Sequence, residues 1–213
     1  MFLTKLIPAK ILSLQARRPS GLIGRYLMTK IFNNGNCDLN SFVKKTLDIQ
    51  RTDKILEIGF GTGKLIKEMA DISTAGLIEG IDFSHTMLRQ ASKVNKQHIA
   101  TGKVRLINGE CRTLPYASKT FDKLCSINTL YFWKEPIKYL NEMYRVLDHR
   151  GKIVIGFRDN EQIKELNLSK DVFCTYSQDD VVKLLLAAGF SGVHIREQDG
   201  VPFISYCAVA TKA

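Results

Sequence analysis

The sequence lacks any long hydrophobic run: no stretch approaches the ~18 consecutive apolar residues that a membrane-spanning helix needs. The early chain is interrupted by Lys5, Pro8 and Lys10 and makes a poor signal peptide, so we expect a cytoplasmic protein. The cysteines are few, odd in number and scattered, with no C-x-x-C pair: Cys37, Cys111, Cys125, Cys174 and Cys207. Without paired cysteines or a histidine cluster, we expect no bound metal.

Acidic residues are missing from the first 37 positions, which carry six cations: Lys5, Lys10, Arg17, Arg18, Arg25 and Lys30. We predict a basic helical arm at 1–38 and a catalytic domain at 39–213. Apolar residues interleave with the early lysines, as in a helix that lies on an anionic membrane: Phe2, Leu3, Leu6, Ile7, Ile11, Leu12 and Leu14. Two interpretations stay open. Residues 1–30 could contact the inner face of such a membrane, or the arm could dock on its own domain as a lid over the substrate pocket.

Three glycines alternate directly after a short apolar stretch. Residues 54–58 read as a buried strand, Gly59, Gly61 and Gly63 form the following turn, and a helix opens at Lys64. Such a turn leaves backbone free of side chains, so that a ligand can lie against it. A phosphate-binding P-loop would need glycine where Ile58 stands and a hydroxyl where Leu65 stands, so that class is excluded. The dinucleotide fingerprint fails as well, because its third small residue would fall on Lys64 or Ile66.

The remaining pattern is E-x-G-x-G-x-G, with Glu57 before the glycines. It resembles the first motif of class I S-adenosylmethionine-dependent methyltransferases. A carboxylate beside the turn suits a ligand with a sulfonium and an α-amino group, where a phosphate would be repelled. The resemblance implies that adenosylmethionine is the cofactor and that Glu57, Gly59, Gly61 and Gly63 hold its methionine part.

Two further segments continue the resemblance. Asp82 ends the next predicted strand, 19 residues after Gly63, where an acid can accept hydrogen bonds from ribose hydroxyls. The following Phe83 and Ser84 match the family's D-x-S segment, and Ser84 can cap a helix. After the third strand, Glu110 and Cys111 stand where the family usually has Asp-Ala, which implies that Glu110 accepts from the adenine amine. The predicted cofactor set is completed by Phe83, Cys111 and Asn128.

The segment after the fourth predicted strand runs from Asn128 to Trp133. Thr129 and Leu130 occupy the places where enzymes that methylate exocyclic amines of bases carry two prolines, which argues against that class of acceptor. We predict that Asn128, Tyr131 and Trp133 line the pocket of a small-molecule or lipid acceptor. The alternative is that these aromatic residues only pack in the core.

Strand-like runs near 54–60, 76–82, 103–108, 121–128 and 151–158 alternate with helix-length segments. One of these helices is expected to end near 149–151. The last two strands, 193–196 and 203–210, are joined by a short link and should be antiparallel. The prediction is an α/β, Rossmann-like seven-stranded sheet, mostly parallel with an antiparallel C-terminal strand and helices on both faces.

The resemblance is closest to the small-molecule branch that includes quinone-biosynthesis and phospholipid-amine methyltransferases. It implies methyl transfer from adenosylmethionine to a small-molecule or lipid acceptor by in-line displacement. The alternative is a basic module that binds RNA or membranes on a methyltransferase-like fold. Intact Glu57, Asp82 and glycines favour the enzyme, and we do not expect nucleic acid as a partner. The residues do not distinguish oxygen, nitrogen, carbon or sulfur as the methylated atom.

Overall fold

The alternating pattern folds into one seven-stranded sheet in a computed structural model that describes residues 7–166, 168–200 and 203–213. The strand order is β3-β2-β1-β4-β5-β7-β6. The strands are β1 Lys54–Ile58, β2 Leu77–Asp82, β3 Val104–Asn108, β4 Phe121–Ile127, β5 Leu147–Phe157, β6 Ser191–Gln198 and β7 Ser205–Thr211. The first five are parallel, whereas β7 lies antiparallel to both β5 and β6. The predicted fold class is confirmed.

Helices cover both faces of this sheet. They are α1 Ala9–Arg17, α2 Thr29–Gly35, α3 Cys37–Leu47, α4 Lys64–Ile72, α5 His85–Val94, α6 Lys96–Ala100, α7 Pro136–Val146, α8 Asn160–Glu165 and α9 Gln178–Ala187, with a π-helical segment Ile23–Met28 and a 3-10 turn Leu130–Phe132. Residues of α3, α4 and α5 form one apolar cluster with the sheet, and residues of α7 and α9 form a second. Burial of apolar surface on both faces explains why the central strands read as continuous hydrophobic runs.

Two helix starts follow the capping signals in the sequence. The Ser84 hydroxyl accepts a hydrogen bond from Met87 N at 3.3 Å at the start of α5. Ser177 and Asp180 form a reciprocal capping box at the start of α9. The predicted cap at Ser84 is confirmed. Of the predicted arm, Phe2, Leu3 and Leu6 lie outside the described residues.

The boundary between α7 and β5 corrects one prediction. The helix ends at Val146 rather than near 149–151, and β5 begins at Leu147, earlier than the expected 151. Leu147 pairs with Phe121 across a register irregularity, so the strand starts before its regular ladder does. Long-range pairing thus overrides the local helical pattern.

The strand order of the sheet reverses between β1 and β4. Strand β1 pairs with β2 on one side and with β4 on the other, so the chain winds outward in both directions from the centre. In open parallel sheets, the loops at the carboxyl ends of such strands diverge and leave a crevice. The glycine turn after β1 and the loops after β2, β3 and β4 surround this crevice.

Candidate active site

A cavity of 1080 Å³ opens at the carboxyl ends of the parallel strands. Its walls come from the glycine turn, from the loops after β2, β3 and β4, and from the N-terminal helices. Eight of the nine predicted cofactor residues line it: Glu57, Gly59, Gly61, Asp82, Phe83, Glu110, Cys111 and Asn128. Residues far apart in sequence therefore converge on one chamber.

Glu57 is the most unusual group in this chamber. Its side chain is buried at the end of β1, and its Oε2 has no hydrogen-bond partner among the described residues. Burial raises the pKa of Glu57 to about 8, and the nearby charges of Asp82 and Glu68 act in the same direction. A buried carboxylate without a partner is costly, and a cationic ligand group would remove that cost.

The three predicted glycines have different roles. At Gly61, φ is +52° and an added Cβ would meet only Phe32 Cδ2 at 3.8 Å, so the turn leaves open space toward the cavity. At Gly59, φ is +74° and an added Cβ would clash with the methyl group of Thr129. Gly63 is the exception, because it does not line the cavity. Its Cα faces α5, where an added Cβ would lie 2.6 Å from Ala91 Cβ, so it permits helix packing rather than ligand contact.

Asp82 connects the glycine turn to the loop after β2. Its Oδ2 accepts from Gly61 N at 2.9 Å and its Oδ1 accepts from Ser84 N at 2.8 Å. Burial raises the pKa of Asp82 to about 6, against these two hydrogen bonds, which lower it. The carboxylate thus fixes both loops, and each oxygen keeps a lone pair for a ligand hydroxyl. Next to it, the Phe83 ring lies 5.6 Å from the guanidinium carbon of Arg18 in the arm.

The loop after β3 is held to β2 by two bonds to the carbonyl of Asp82, from Gly109 N at 3.1 Å and from Asn108 Nδ2 at 2.8 Å. Glu110 follows with an exposed side chain, and Cys111 is half-buried. Burial raises the pKa of the Cys111 thiol to about 12, so this cysteine stays neutral and is not an activated nucleophile.

The predicted acceptor residues form a network behind the glycine turn. The Tyr131 hydroxyl accepts from Arg158 N at 2.5 Å, and its proton faces Arg158 O at 3.0 Å and Asn128 Oδ1 at 3.2 Å. Asn128 takes a left-handed conformation with φ +53°. Trp133 stacks on Tyr139 with ring centroids 5.5 Å apart. These five residues all line the cavity: the predicted Asn128, Tyr131 and Trp133, together with Tyr139 and Arg158.

The arm forms hydrogen bonds with three of the loops that surround the cavity. Thr62 donates to Asn33 Oδ1 at 2.7 Å, Asn128 Nδ2 donates to Asn36 Oδ1 at 3.0 Å, and Ser84 donates to the carbonyl oxygen of Pro19 at 2.6 Å. The asparagines of the arm offered a sequence signal, since polar residues between helices are typical of ligand-facing loops. Arg158, by contrast, was missed. The only sequence signal was a charged residue directly after the apolar run of β5.

These residues fit adenosylmethionine. The carboxyl groups of Glu57 and Asp82 would supply negative charge for its sulfonium, ammonium and ribose hydroxyl groups, and the space that a Cβ at position 61 would fill is open. Among the described residues, no cluster of three or more potential ligands could hold a metal ion. That the reaction needs no metal stays a prediction.

Comparison with known proteins decides the family. A family model described as a methyltransferase domain matches residues 56–155. An uncharacterized methyltransferase of Bacillus subtilis, YdaC, is 31% identical over 177 residues, which are 83% of this chain and 93% of that protein. The chain belongs to the S-adenosylmethionine-dependent methyltransferases.

One further relative and one solved structure of similar fold resemble this methyltransferase. The demethylmenaquinone methyltransferase of a Geobacillus strain is 31% identical over 125 residues, 54% of this chain and 53% of that protein. A crystal structure of a SAM-dependent methyltransferase from Aquifex aeolicus has a TM-score of 0.70 at 19% identity, covering 88% of this chain and 97% of that one. The protein is thus an enzyme, which disfavours the alternative of a module that only binds. In the described part of the chain, no helix has the length and apolarity to cross a membrane.

Proposed function

We propose that this methyltransferase transfers the methyl group of adenosylmethionine to a lipophilic acceptor, a small molecule or lipid with an aromatic ring. The observation that carries the proposal is the aromatic wall behind the glycine turn. Phe132 and Phe173 meet edge to face at 4.8 Å, and Tyr131 stacks on Phe173 at 5.8 Å. These rings line the same cavity as Glu57, so they are available to a ligand as well as to the core.

The cofactor half of the cavity is assigned to the carboxylates and glycines. We propose that Glu57 faces the sulfonium and amino groups, Asp82 the ribose, and Glu110 with Cys111 and Phe83 the adenine. Gly59 and Gly61 leave the backbone accessible, and Asn128 separates the cofactor half from the aromatic half. The support is that these residues line one chamber whose buried acids lack cationic partners among the described residues.

The transfer step needs orientation more than proton transfer. The methyl carbon of a sulfonium is already bonded to a good leaving group, so an acceptor atom held in line with the carbon–sulfur bond reacts by displacement. No histidine is among the described residues that line the cavity, and Cys111 is neutral. The walls therefore act by holding the acceptor and excluding water.

The relatives support an aromatic, lipophilic acceptor. One of them is named as a demethylmenaquinone methyltransferase, and it matches 54% of this chain at 31% identity. An apolar ring would lie against Phe132, Trp133 and Phe173, and an apolar tail would continue along Leu12 and Ala16 of α1, which line the same cavity.

We also propose that the arm covers the cavity as a lid and rests on the inner face of an anionic membrane, which would deliver such an acceptor. Leu22, which directly precedes the π-helical segment, is 73% exposed, and Tyr26 within that segment is 63% exposed. Beside them, a second cavity of 730 Å³ is lined by the cations Arg25, Lys30, Arg89 and Lys93, and none of its described lining residues is acidic. Exposed apolar residues beside clustered cations are typical of surfaces that bind anionic lipids.

The acceptor is tested by incubating the protein with labelled adenosylmethionine and the lipid and aqueous fractions of cells, followed by mass spectrometry of the labelled product. We expect label in the lipid fraction, and much less of it with Asp82→Ala at the same concentration of adenosylmethionine. Label confined to polar metabolites would refute the lipophilic acceptor while leaving methyl transfer intact.

The membrane contact has its own test. The double variant Leu22→Ser and Tyr26→Ser should lose flotation with vesicles of phosphatidylcholine and phosphatidylglycerol, whereas Leu186→Ser, an exposed apolar residue on α9, should not. Equal binding of the wild type to vesicles without phosphatidylglycerol would contradict the electrostatic part of the proposal.

A further inference from the structure

A buried guanidinium stands in the aromatic half of the cavity. Arg158 follows the last residue of β5, is 8% exposed and lines the cavity. Its Nη1 donates to three neutral oxygens: the Phe203 carbonyl at 2.9 Å, the Ile204 carbonyl at 2.7 Å and the Ser205 hydroxyl at 3.1 Å. The side chain is therefore held in place by the start of β7.

The charge of this guanidinium is only partly compensated within the described structure: burial lowers the pKa of Arg158, and the carboxylate that opposes this effect, Asp38, forms no ion pair with it. None of the ion pairs among the described residues includes Arg158, and its recorded hydrogen bonds there use Nη1 but not Nη2 or Nε. Arginine stays protonated even when buried, so the site carries a full positive charge. Burial of an unpaired charge is costly unless a ligand compensates it.

Holding β7 does not by itself require an arginine. The three neutral oxygens that accept from Nη1 could equally accept from the nitrogen of an uncharged amide or of a lysine. Neither of those side chains would leave two further nitrogens, such as Nη2 and Nε, without a partner. The surroundings add to the effect of the charge. Tyr131, Phe173 and Ile163 line the same cavity as Arg158, and the Phe203 ring lies 5.7 Å from the guanidinium carbon. An ion in apolar surroundings attracts an opposite charge more strongly than it would in water.

We propose that Arg158 binds an anionic oxygen of the methyl acceptor, a carboxylate or a phenolate, through Nη2 and Nε. This inference rests on the proposed function, since it assigns the aromatic half of the cavity to the acceptor. Guanidinium groups favour such oxygens because two parallel N–H groups match their geometry. Arg158 would also stabilise the ionised form of a phenol, which makes a protein base unnecessary where the described residues of the cavity wall include no histidine.

The step balances without a further reactant. The acceptor has released its proton to solvent before or upon binding, and its anion supplies the electron pair for the new bond to the methyl carbon. The electrons of the carbon–sulfur bond go to sulfur, so the sulfonium becomes a neutral sulfide and the two opposite charges disappear together. For a phenolate, attack from oxygen gives a neutral ether, and attack from the ring carbon beside it gives a neutral dienone. The dienone becomes the methylated phenol when its ring-carbon proton passes to solvent and its oxygen takes up a proton from solvent.

The test uses two probes of one shape. In the presence of adenosylhomocysteine, 2-naphthoate and its uncharged counterpart 2-naphthamide are titrated into the full chain by calorimetry. We expect the wild type to prefer naphthoate by about tenfold or more, the effect of one charge-assisted pair. Arg158→Gln keeps an amide donor for β7 and should lose the preference, and Arg158→Lys should retain part of it. Arg51→Gln, an exposed arginine in the turn before β1, is the matched control and should behave as wild type.

A second experiment distinguishes a phenolate acceptor from a carboxylate acceptor. The ionisation of 4-nitrophenol is followed by its visible absorbance, and binding to the wild type should lower its pKa, whereas binding to Arg158→Gln should not. Preference for naphthoate alone identifies a carboxylate, and a lowered pKa of nitrophenol identifies a phenolate.

Equal affinity of the wild type for naphthoate and naphthamide, with no change in nitrophenol ionisation, would overturn the inference even if Arg158→Gln failed to fold. Its failure is distinct from that of the proposed function. A neutral lipid methylated in the extract experiment would keep the function and remove the anion site, whereas a naphthoate preference without any lipid product would do the reverse.

Discussion

Replacing Glu57 by glutamine should change how the stability of the cofactor-free protein depends on pH. The folded protein raises the pKa of Glu57 from its ordinary 4.5 to about 8 through burial. Between these values the folded state holds a proton that the unfolded chain has released. The free energy of unfolding must therefore fall as the pH rises through this window, and the stabilisation by the protonated group is fully present only below 4.5.

The magnitude follows from the two pKa values. They differ by about 3.5, and each pH unit is worth about 1.4 kcal/mol, so Glu57 alone removes at most about 5 kcal/mol between pH 4.5 and pH 8. Asp82, whose pKa burial raises to about 6, adds a smaller loss at the acidic end of the window. Glutamine keeps the size of the side chain and cannot ionise, so Glu57→Gln should lose only the part that belongs to Asp82.

Urea unfolding at pH 5 and pH 8.5 measures both proteins. The wild type should lose several kcal/mol more than Glu57→Gln between the two pH values, a difference bounded by about 5 kcal/mol. Glu165→Gln, which removes an exposed carboxylate on α8, is the matched control and should follow the wild type. Parallel pH profiles for wild type and Glu57→Gln would refute the reasoning, because they would mean that Glu57 is already ionised in the folded chain.

Cofactor binding should offset the loss of stability that the ionised Glu57 causes at high pH. Adenosylmethionine is cationic, so it favours the ionised Glu57, and its binding near pH 7 should release a proton from that group. Calorimetry in buffers of different ionisation enthalpy should show this release for the wild type and not for Glu57→Gln. Because the amino group of the cofactor also titrates near this pH, the difference between the two proteins is the quantity to compare.

Three further substitutions probe the cavity. Gly61→Ala should fold with a loss of about 1–2 kcal/mol for its positive φ but bind adenosylmethionine much more weakly, whereas Gly59→Ala should lose more stability in a thermal melt, since its Cβ strikes Thr129. Asp82→Ala should weaken cofactor binding by about 1.5–3 kcal/mol in calorimetry, the range for hydrogen bonds to a charged group, and unchanged affinity would remove Asp82 from the site. Phe132→Ala should leave cofactor affinity unchanged and weaken lipophilic acceptors by about 1.5–3 kcal/mol, the range for burying an aromatic side chain; a matched loss for polar acceptors would argue against an apolar subsite.

The sequence was sufficient for the sheet and for bringing eight of the nine predicted cofactor residues to one cavity. Those features depend on local patterns: an apolar strand, a turn that needs positive φ, and an acid at the end of the next strand. Gly61 and Asp82 illustrate this, since the 2.9 Å bond between them joins two motifs that were each readable alone. The boundary between α7 and β5 was not readable, because Leu147 follows a helical pattern but pairs with Phe121 across the sheet.

Gly63 and Arg158 show what spacing cannot reveal. Gly63 belongs to the same alternating pattern as Gly61, yet its positive φ serves packing against Ala91, which lies 28 positions later. Arg158 stands at the end of an apolar strand, where a charge reads as an exposed loop residue. It is buried because β7 returns antiparallel to β5 and brings Phe203–Ser205 against it. Only the long-range topology separates these roles.

The charges of the cavity fit a reaction in which two charges cancel. On the proposed assignment, Glu57 and Asp82 favour a cationic methyl donor, and Arg158 favours an anionic acceptor. Opposite preferences on the two sides bind the substrates in only one orientation, with the anion toward the arginine and the sulfonium toward the acids. Transfer of the methyl group removes the sulfonium charge and the acceptor charge in the same step. Both products then fit the cavity less well than the substrates did, so the electrostatics that hold the reactants also favour release after turnover.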